Sequence, residues 1–379
     1  MINYKKYYYV ALNNLQTTPY HLFHLLRRKL LVEYKLNTGY SLFPDFITIL
    51  VTERCNFFCD RCCADFPLKT KQAIIKNELT TTQIIKFLDE VAWFRPSVYF
   101  CGGEPTLRGD LYELLHYAKS KKLITACTTN ASLLGESQRE KIFKAKLDFL
   151  SFSLDGPRGY HDRVRGYKGA HDLVITNISE LIKYRQRNRL HYPHVRMSTI
   201  VDPNNLENAF MAIDIAKKLK VDELNFGMLM FYTNKAKRQQ AELVNNTQIG
   251  GDSMLGQKIE DNYQFPHNYA QMHRLYQRVR QEKLLKIVIN GPLESEVEQY
   301  FNPQKYPSKS STCLTPWFTA SLRSNGDIEL CQGLRAGNIK NERFLKIWNK
   351  PIFRKFRLYR KKQPNYACFR CGESQNIRF

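Results

Sequence analysis

Three cysteines fall within eight residues, Cys55, Cys59 and Cys62, spaced C-x3-C-x2-C. Thiolates that close together can wrap one metal centre, and three are one short of the four that close a tetrahedral or cubane site. An open position suits a centre that acts on a small molecule rather than one that only braces the chain. A zinc ion completed by a distant histidine would use the same spacing. A second set, Cys313, Cys331, Cys368 and Cys371, joins a distant pair to a C-x-x-C and supplies four thiolates. That is a closed site, either a structural zinc ribbon or a fully protein-ligated iron–sulfur cluster. Cys63, Cys101 and Cys127 remain, and burial as small apolar residues is their default role.

The elements that must position these groups alternate regularly. Strands are expected at Phe46 to Val51, Ser97 to Phe100, Leu123 to Thr128, Asp148 to Leu154, His194 to Val201 and Leu224 to Met228. Helices fall between them. One opens with a capping-box pattern at Thr80 and Gln83; others cover Leu111 to Lys119, a stretch ending at Ile142, Leu173 to Tyr184 and Leu206 to Leu219. Six strands with crossover helices indicate an α/β fold with a parallel sheet, open or curled into a partial barrel. Catalytic groups in such folds gather at the carboxyl ends of the strands. The first cysteine set follows the first strand. Gly102-Gly103-Glu104-Pro105, Thr128-Thr129-Asn130 and Ser153-Leu154-Asp155-Gly156-Pro157 follow the next three, and then come His161-Asp162-Arg163 and Arg165-Gly166. Each is a weak signal alone, since glycines turn chains and Ser or Asn caps strand ends.

In this order and on this rhythm, residues 46 to 230 resemble the radical S-adenosylmethionine (SAM) superfamily. The resemblance implies a partial (β/α)6 barrel. It implies that Cys55, Cys59 and Cys62 hold a [4Fe–4S] cluster whose open iron is chelated by the amino and carboxylate groups of SAM. Gly102, Gly103 and Glu104 match the segment lining the methionine amino group; Thr129, Asn130, Ser153 and Asp155 match positions around the SAM ribose and the substrate. One position departs from the pattern: the residue before the third cysteine, usually aromatic or apolar and near adenine, is Arg61. The implied chemistry is one-electron cleavage of SAM to methionine and a 5′-deoxyadenosyl radical, which takes hydrogen from an unactivated carbon. It requires an external one-electron reductant of flavodoxin or ferredoxin type.

The region around the second set, with Ser324-Asn325-Gly326-Asp327 and Leu345-Lys346-Ile347-Trp348, resembles the SPASM/twitch extensions of that superfamily over about residues 310 to 375. The resemblance implies a second, auxiliary [4Fe–4S] cluster on Cys313, Cys331, Cys368 and Cys371. No cysteine follows Cys371, so one auxiliary cluster is expected and not two. The expected organisation is an N-terminal extension (1–45), a radical SAM core (46–230), a bridging region (231–305) and the auxiliary module (306–379). Residues 232 to 262 are polar and read as a linker or loop. Residues 1–45 are too few for the added domain that leader-peptide binders often carry. The substrate is not written in the motifs; peptides, sugars, lipids and small metabolites all stay open.

The chain has 379 residues and a formal net charge of +23. Residues 333–379 carry +11 and residues 1–36 carry +5, so the two ends are the basic parts. Such a field attracts a polyanion or an anionic membrane surface, though a merely basic surface gives the same count. Tyr20 to Leu36 reads as an amphipathic helix with Leu22, Leu25, Leu26 and Leu30 around the basic run Arg27 to Lys29. It either packs on its own domain or lies on a membrane. On the helix carrying Arg354, Lys355, Arg357, Arg360, Lys361 and Lys362, the aromatics Phe353, Phe356 and Tyr359 should pack inward and leave the basic residues outside. No run reaches the roughly 18 apolar residues of a transmembrane helix, and no signal-peptide cleavage site follows Lys5 and Lys6, so a cytoplasmic location is expected. A zinc-dependent nucleic-acid-binding protein would explain the charge and the cysteines, but not Gly102 to Pro105 or the strand–helix rhythm.

Overall fold

The computed structural model describes residues 18–30, 32–62, 77–247, 249, 256–266, 268–305, 313–331, 333–362 and 370–371. Cys63 and Cys368 lie outside the described residues. Helix α1 (Thr18–Leu30) precedes six parallel strands, β1 (Phe46–Thr52), β2 (Ser97–Gly102), β3 (Ile124–Thr129), β4 (Phe149–Ser153), β5 (His194–Val201) and β6 (Glu223–Met228). The crossovers carry α2 (Thr81–Val91), α3 (Leu111–Ser120), α4 (Glu136–Lys144), α5 (Arg158–Arg165), α6 (Ala170–Arg187) and α7 (Glu207–Leu219). Period-2 alternation sets the faces of the sheet. In β1, Ile47, Ile49 and Val51 are wholly buried in the same core cluster as Ile84, Leu88, Leu114 and Leu115 of α2 and α3. Thr48 and Leu50, on the opposite face, are half-buried. The α2 cap forms as its sequence indicates: Thr80 accepts from the Gln83 amide, and the Gln83 side chain accepts from the Thr80 amide at 2.8 Å.

The sheet does not end with the sixth strand. Residues 231–305 form β7 (Phe231–Tyr232), α8 (Asn234–Thr247), β8 (Gln257–Lys258), α9 (Tyr269–Gln281) and β9 (Lys286–Asn290). β9 pairs in parallel with β6. The C-terminal part adds β10 (Thr319–Leu322), β11 (Asp327–Cys331) and β12 (Leu334–Asn338), then α10 (Phe344–Trp348) and α11 (Pro351–Lys362). β10 pairs in parallel with β1, and β10–β11–β12 continue antiparallel. The result is one ten-stranded sheet in the order β12-β11-β10-β1-β2-β3-β4-β5-β6-β9. The module bearing the second cysteine set therefore grows directly on β1, the strand that leads into the first.

Two expectations from composition give way here. Polar residues 232–262 contain α8, because Ala236, Gln240 and Leu243 give it one buried face among polar neighbours. On α11, Phe353 and Phe356 are buried as expected, but so are Arg357 and Arg360. Arg357 donates to the carbonyls of Pro316, Gly39 and Trp348 at 2.7, 3.0 and 2.9 Å and lies over the Trp348 ring. A guanidinium with five donors is tolerated inside when backbone carbonyls take them up. No described helix is long and apolar enough to cross a membrane.

Candidate active site

The first cysteine loop leaves the carboxyl end of β1 and is gripped on both sides. On one side the strand pairing of β1 and β2 continues past its end: Gly103 donates to the Thr52 carbonyl at 2.9 Å and Glu104 to the Arg54 carbonyl at 2.7 Å. A Cβ on Gly103 would stand 2.2 Å from the Arg54 carbonyl oxygen, so only glycine permits this approach. On the other side the Phe58 and Asp60 amides donate to the Arg165 and Val164 carbonyls at the end of α5. Gly166, at φ +60°, closes against the Phe58 carbonyl, where a Cβ would be 2.4 Å away. Gly103, expected beside the cofactor, and Gly166 thus clasp the cysteine loop.

Within that clasp Cys55 and Cys59 are half-buried and Cys62 is exposed. Burial pushes the Cys55 thiol up, and nearby Cys59 and Glu104 act in the same direction. The Cys59 sulfur accepts from the Arg165 guanidinium at 3.8 Å. It lines a small cavity with Arg61, Asp155, Tyr160, Val164, Arg165 and Ile200. Arg165 also pairs with Asp155 at 2.7 Å. Burial opposes the charge of Asp155, but Arg165 and His161 outweigh it and hold the carboxyl well below the usual carboxylate range. The Asp155 amide donates to His161 Nδ1 at 3.1 Å, and burial keeps His161 below its ordinary value.

The strand-end residues divide into two groups. Glu104 is wholly buried. Its Oε1 accepts from the Thr106 amide, the Thr106 hydroxyl and the Thr129 hydroxyl at 3.0, 2.5 and 2.7 Å, and its Oε2 from the Asn130 amide at 2.6 Å. Glu104 and Thr129 therefore tie the end of β2 to the end of β3. Burial raises the Glu104 carboxyl despite these donors. Asn130, Ser153 and Asp155 stand at the ends of β3 and β4, Ser153 in register with Ser198 of β5. Asn130 donates to Asn56 Oδ1 at 2.8 Å; Asn56 donates to the Ser132 hydroxyl at 2.9 Å, and Ser132 donates back to Asn130 at 2.7 Å. This triangle fixes the cysteine loop to β3. Asn56 and Ser132 were not singled out from the sequence, because a polar side chain between cysteines or after a strand carries no spacing signal. Arg61 pairs with Asp202 at 2.5 Å and donates to the Tyr160 hydroxyl at 2.7 Å.

The described members of the second set sit on separate elements. Cys331 ends β11, Cys313 precedes the short helix Thr315–Phe318, and Cys371 is buried. Arg370, beside Cys371, donates to the carbonyls of Tyr300, Asn302 and Lys305 at 2.9, 2.6 and 3.2 Å and lies over the Phe231 ring. Cys127 is buried and Cys101 half-buried, both on strands of the core. Among the described residues no three Cys, His, Asp or Glu side chains converge to hold a single metal ion. The first donor set nonetheless fits an iron–sulfur cluster: soft thiols on a short loop, one short of closure, on backbone that only glycine at 103 and 166 lets pack so closely.

Comparison with known proteins agrees with this geometry. Residues 49–209 match the Radical SAM superfamily, and residues 313–372 match the SPASM iron–sulfur cluster-binding domain. Together the two matches span more than half of the chain. An AdoMet-dependent heme synthase of Methanosarcina barkeri is 26% identical over 83% of this chain and 85% of its own length. Fe-coproporphyrin III synthase of the same organism is 36% identical, but the match spans only 34% of this chain and 31% of that protein. Among solved structures, Streptococcus suis SuiB bound to S-adenosylmethionine superposes with a TM-score of 0.61 over 92% of this chain and 75% of that one, at 18% identity. The domain pair implies a SAM-binding [4Fe–4S] cluster, an auxiliary cluster and SAM as cofactors. The chain is a radical SAM superfamily enzyme with a C-terminal SPASM domain.

Proposed function

We propose that Cys55, Cys59 and Cys62 carry the SAM-binding cluster, that SAM lies over the carboxyl ends of β2 to β5, and that Cys313, Cys331, Cys368 and Cys371 carry the auxiliary cluster. When bound, the reduced first cluster supplies an electron to the SAM sulfonium and so the 5′-deoxyadenosyl radical that takes hydrogen from the substrate. The observation that carries this reading is the Cys59 thiol opening into one cavity with Asp155 and Arg165, beside strand ends already fixed by hydrogen bonds. Gly102 and Gly103 bring backbone next to the loop, where a carbonyl can accept from the SAM ammonium. Asn130 and Ser153 present polar groups at the ribose end, and Arg165, held by Asp155, presents a cation to a carboxylate. Rigid, preformed donors orient a cofactor at little cost of reorganisation. Glu104 acts through Thr129 and Asn130 by holding β2 to β3.

The substrate is a polar molecule over the less-buried face of the sheet, where Ser151 meets Ser198 at 2.9 Å and Asn225 meets Asn290 at 2.5 Å. Heme-type and peptide substrates are the first to try. The full-length match is to a protein named heme synthase, and a PqqA peptide cyclase of Bradyrhizobium diazoefficiens is 30% identical over 52% of this chain and 50% of its own length. An external flavodoxin- or ferredoxin-type reductant and an anionic partner for the basic termini belong to the same proposal. The direct test is reduction of anaerobically prepared protein with SAM. Release of 5′-deoxyadenosine, abolished in Cys59→Ala, is expected; equal release from wild type and variant would reject the ligand assignment.

A further inference from the structure

Helix α1 is built inside out. Three of its polar residues point into the protein: His24 meets the Phe94 carbonyl at 2.9 Å, Arg27 pairs with buried Glu33 at 2.9 Å, and Arg28 pairs with Asp45. Arg27 also donates to the Phe43 carbonyl at 2.6 Å and lies over the Phe43 and Phe318 rings. Its apolar residues point out. Leu22, Phe23, Leu26 and Leu30 are 55, 46, 49 and 58% exposed, at the three- and four-residue spacing that makes one stripe. Val32 and Leu36, further along the chain, are exposed too. Beside its first turn stand Tyr20 and Trp93; Trp93 packs on Phe43, which packs on Phe23. A contiguous apolar row of this kind needs a partner.

What rims the row identifies that partner. Helix α11, more than 300 residues away in sequence, lies against the chain that follows α1. Arg354 donates to the Thr38 carbonyl at 3.3 Å, Lys361 to the Tyr34 carbonyl at 2.6 Å, and Arg357 to the Gly39 carbonyl. The fold so brings the two basic ends of the chain together. Among residues 18–44 the one acidic side chain is Glu33, buried and paired with Arg27; residues 343–362 contain none. Lys35, Arg354, Lys355 and Lys362 are exposed. An apolar stripe with aromatic residues at one end, rimmed by cations and free of exposed anions, fits an anionic bilayer surface. Leucines enter the acyl boundary there, and Lys and Arg meet lipid phosphates.

We infer that the exposed row of α1 and the basic flank of α11 form one face that docks on an anionic membrane. This deepens the proposed anionic partner of the basic termini and does not depend on the radical chemistry. The test is flotation of the full-length protein with phosphatidylcholine vesicles, with and without phosphatidylglycerol. Binding only to the anionic vesicles, weakened by salt, is expected. Leu22→Ser/Leu26→Ser/Leu30→Ser should abolish it, and Lys35→Glu/Lys355→Glu should lower partitioning about tenfold or more. These side chains are exposed, so deoxyadenosine release should be unchanged in both variants, which separates failure of docking from failure of the enzyme. Three outcomes would overturn the inference. One is a wild type that binds neither vesicle. Another is dimerisation lost in the leucine variant, which assigns the stripe to a second copy. The third is binding that appears only after removal of residues 2–17, which assigns the stripe to the chain's own N-terminal segment.

Discussion

The two cysteine sets are held by different means. The first lies on one short loop, clasped through backbone hydrogen bonds at Gly103 and Gly166 and through the Asn56–Asn130–Ser132 triangle. The second is drawn from β11, the segment before Thr315 and the chain end, and is braced by buried Arg370 and Arg357 against backbone carbonyls. The first keeps its shape through local hydrogen bonds on a single loop, whereas the second depends on tertiary packing between elements distant in sequence. Damage to one region should therefore spare the other.

The largest separation should come from Cys59→Ala. Deoxyadenosine release should fall by at least about a hundredfold, as when a unit of catalytic machinery is removed, while the auxiliary cluster keeps its absorbance. Loss of both clusters would break the comparison. The complementary change is at Arg370. Arg370→Met strands the buried Tyr300 carbonyl and weakens two part-buried ones, and at roughly 1–3 kcal/mol for an unsatisfied buried group it should destabilise the C-terminal module by about 3 kcal/mol. Chemical denaturation should show that loss, with the first cluster retained in the folded fraction.

A third effect lies away from both clusters. Glu223 is buried at the start of β6 and pairs with Arg196 at 2.6 Å and Lys286 at 2.5 Å. Burial opposes its charge, but His194, Arg196 and Lys286 hold the carboxyl well below its ordinary value. Its contribution is therefore fully present above the unfolded value of about 4.3 and is lost as pH falls through the folded value. Glu223→Gln should cost about 3 kcal/mol near neutral pH and flatten the acid limb of the stability curve. An unchanged acid limb would remove Glu223 from the account. The smallest effect is expected at Glu104. Glu104→Gln places an amide against donors, so SAM-free protein should lose about 1–3 kcal/mol. If stability holds and only SAM affinity falls, Glu104 contacts the cofactor instead of clasping β2 to β3.

The sequence made the first site legible because its parts are local. Each motif directly follows a strand whose alternation is plain, and β5 runs from His194 to Val201 as its pattern indicates. What stayed hidden depends on contacts far along the chain. β9 is five residues with no period of its own, recognisable only by its pairing with β6. Helix α5 sits directly after the Asp155-Gly156-Pro157 turn, and its eight residues carry only Tyr160 and Val164 as an apolar pair, too short a stripe to read among charged neighbours. The motif places Glu104 beside the cofactor, but its hydrogen bonds to Thr106, Thr129 and Asn130 exist only in the folded chain. The inward turn of Arg27, Arg357 and Arg370 was equally invisible, because a basic residue near apolar ones reads as surface until its acceptors are known.

Metal and sulfide analysis of protein purified without oxygen tests the central claim most directly. Two cubane clusters give about eight iron and eight sulfide per chain. Replacing Cys55, Cys59 and Cys62 together by Ala should leave about half of each, from the auxiliary cluster alone. Zinc in place of iron, with no acid-labile sulfide, would contradict the account.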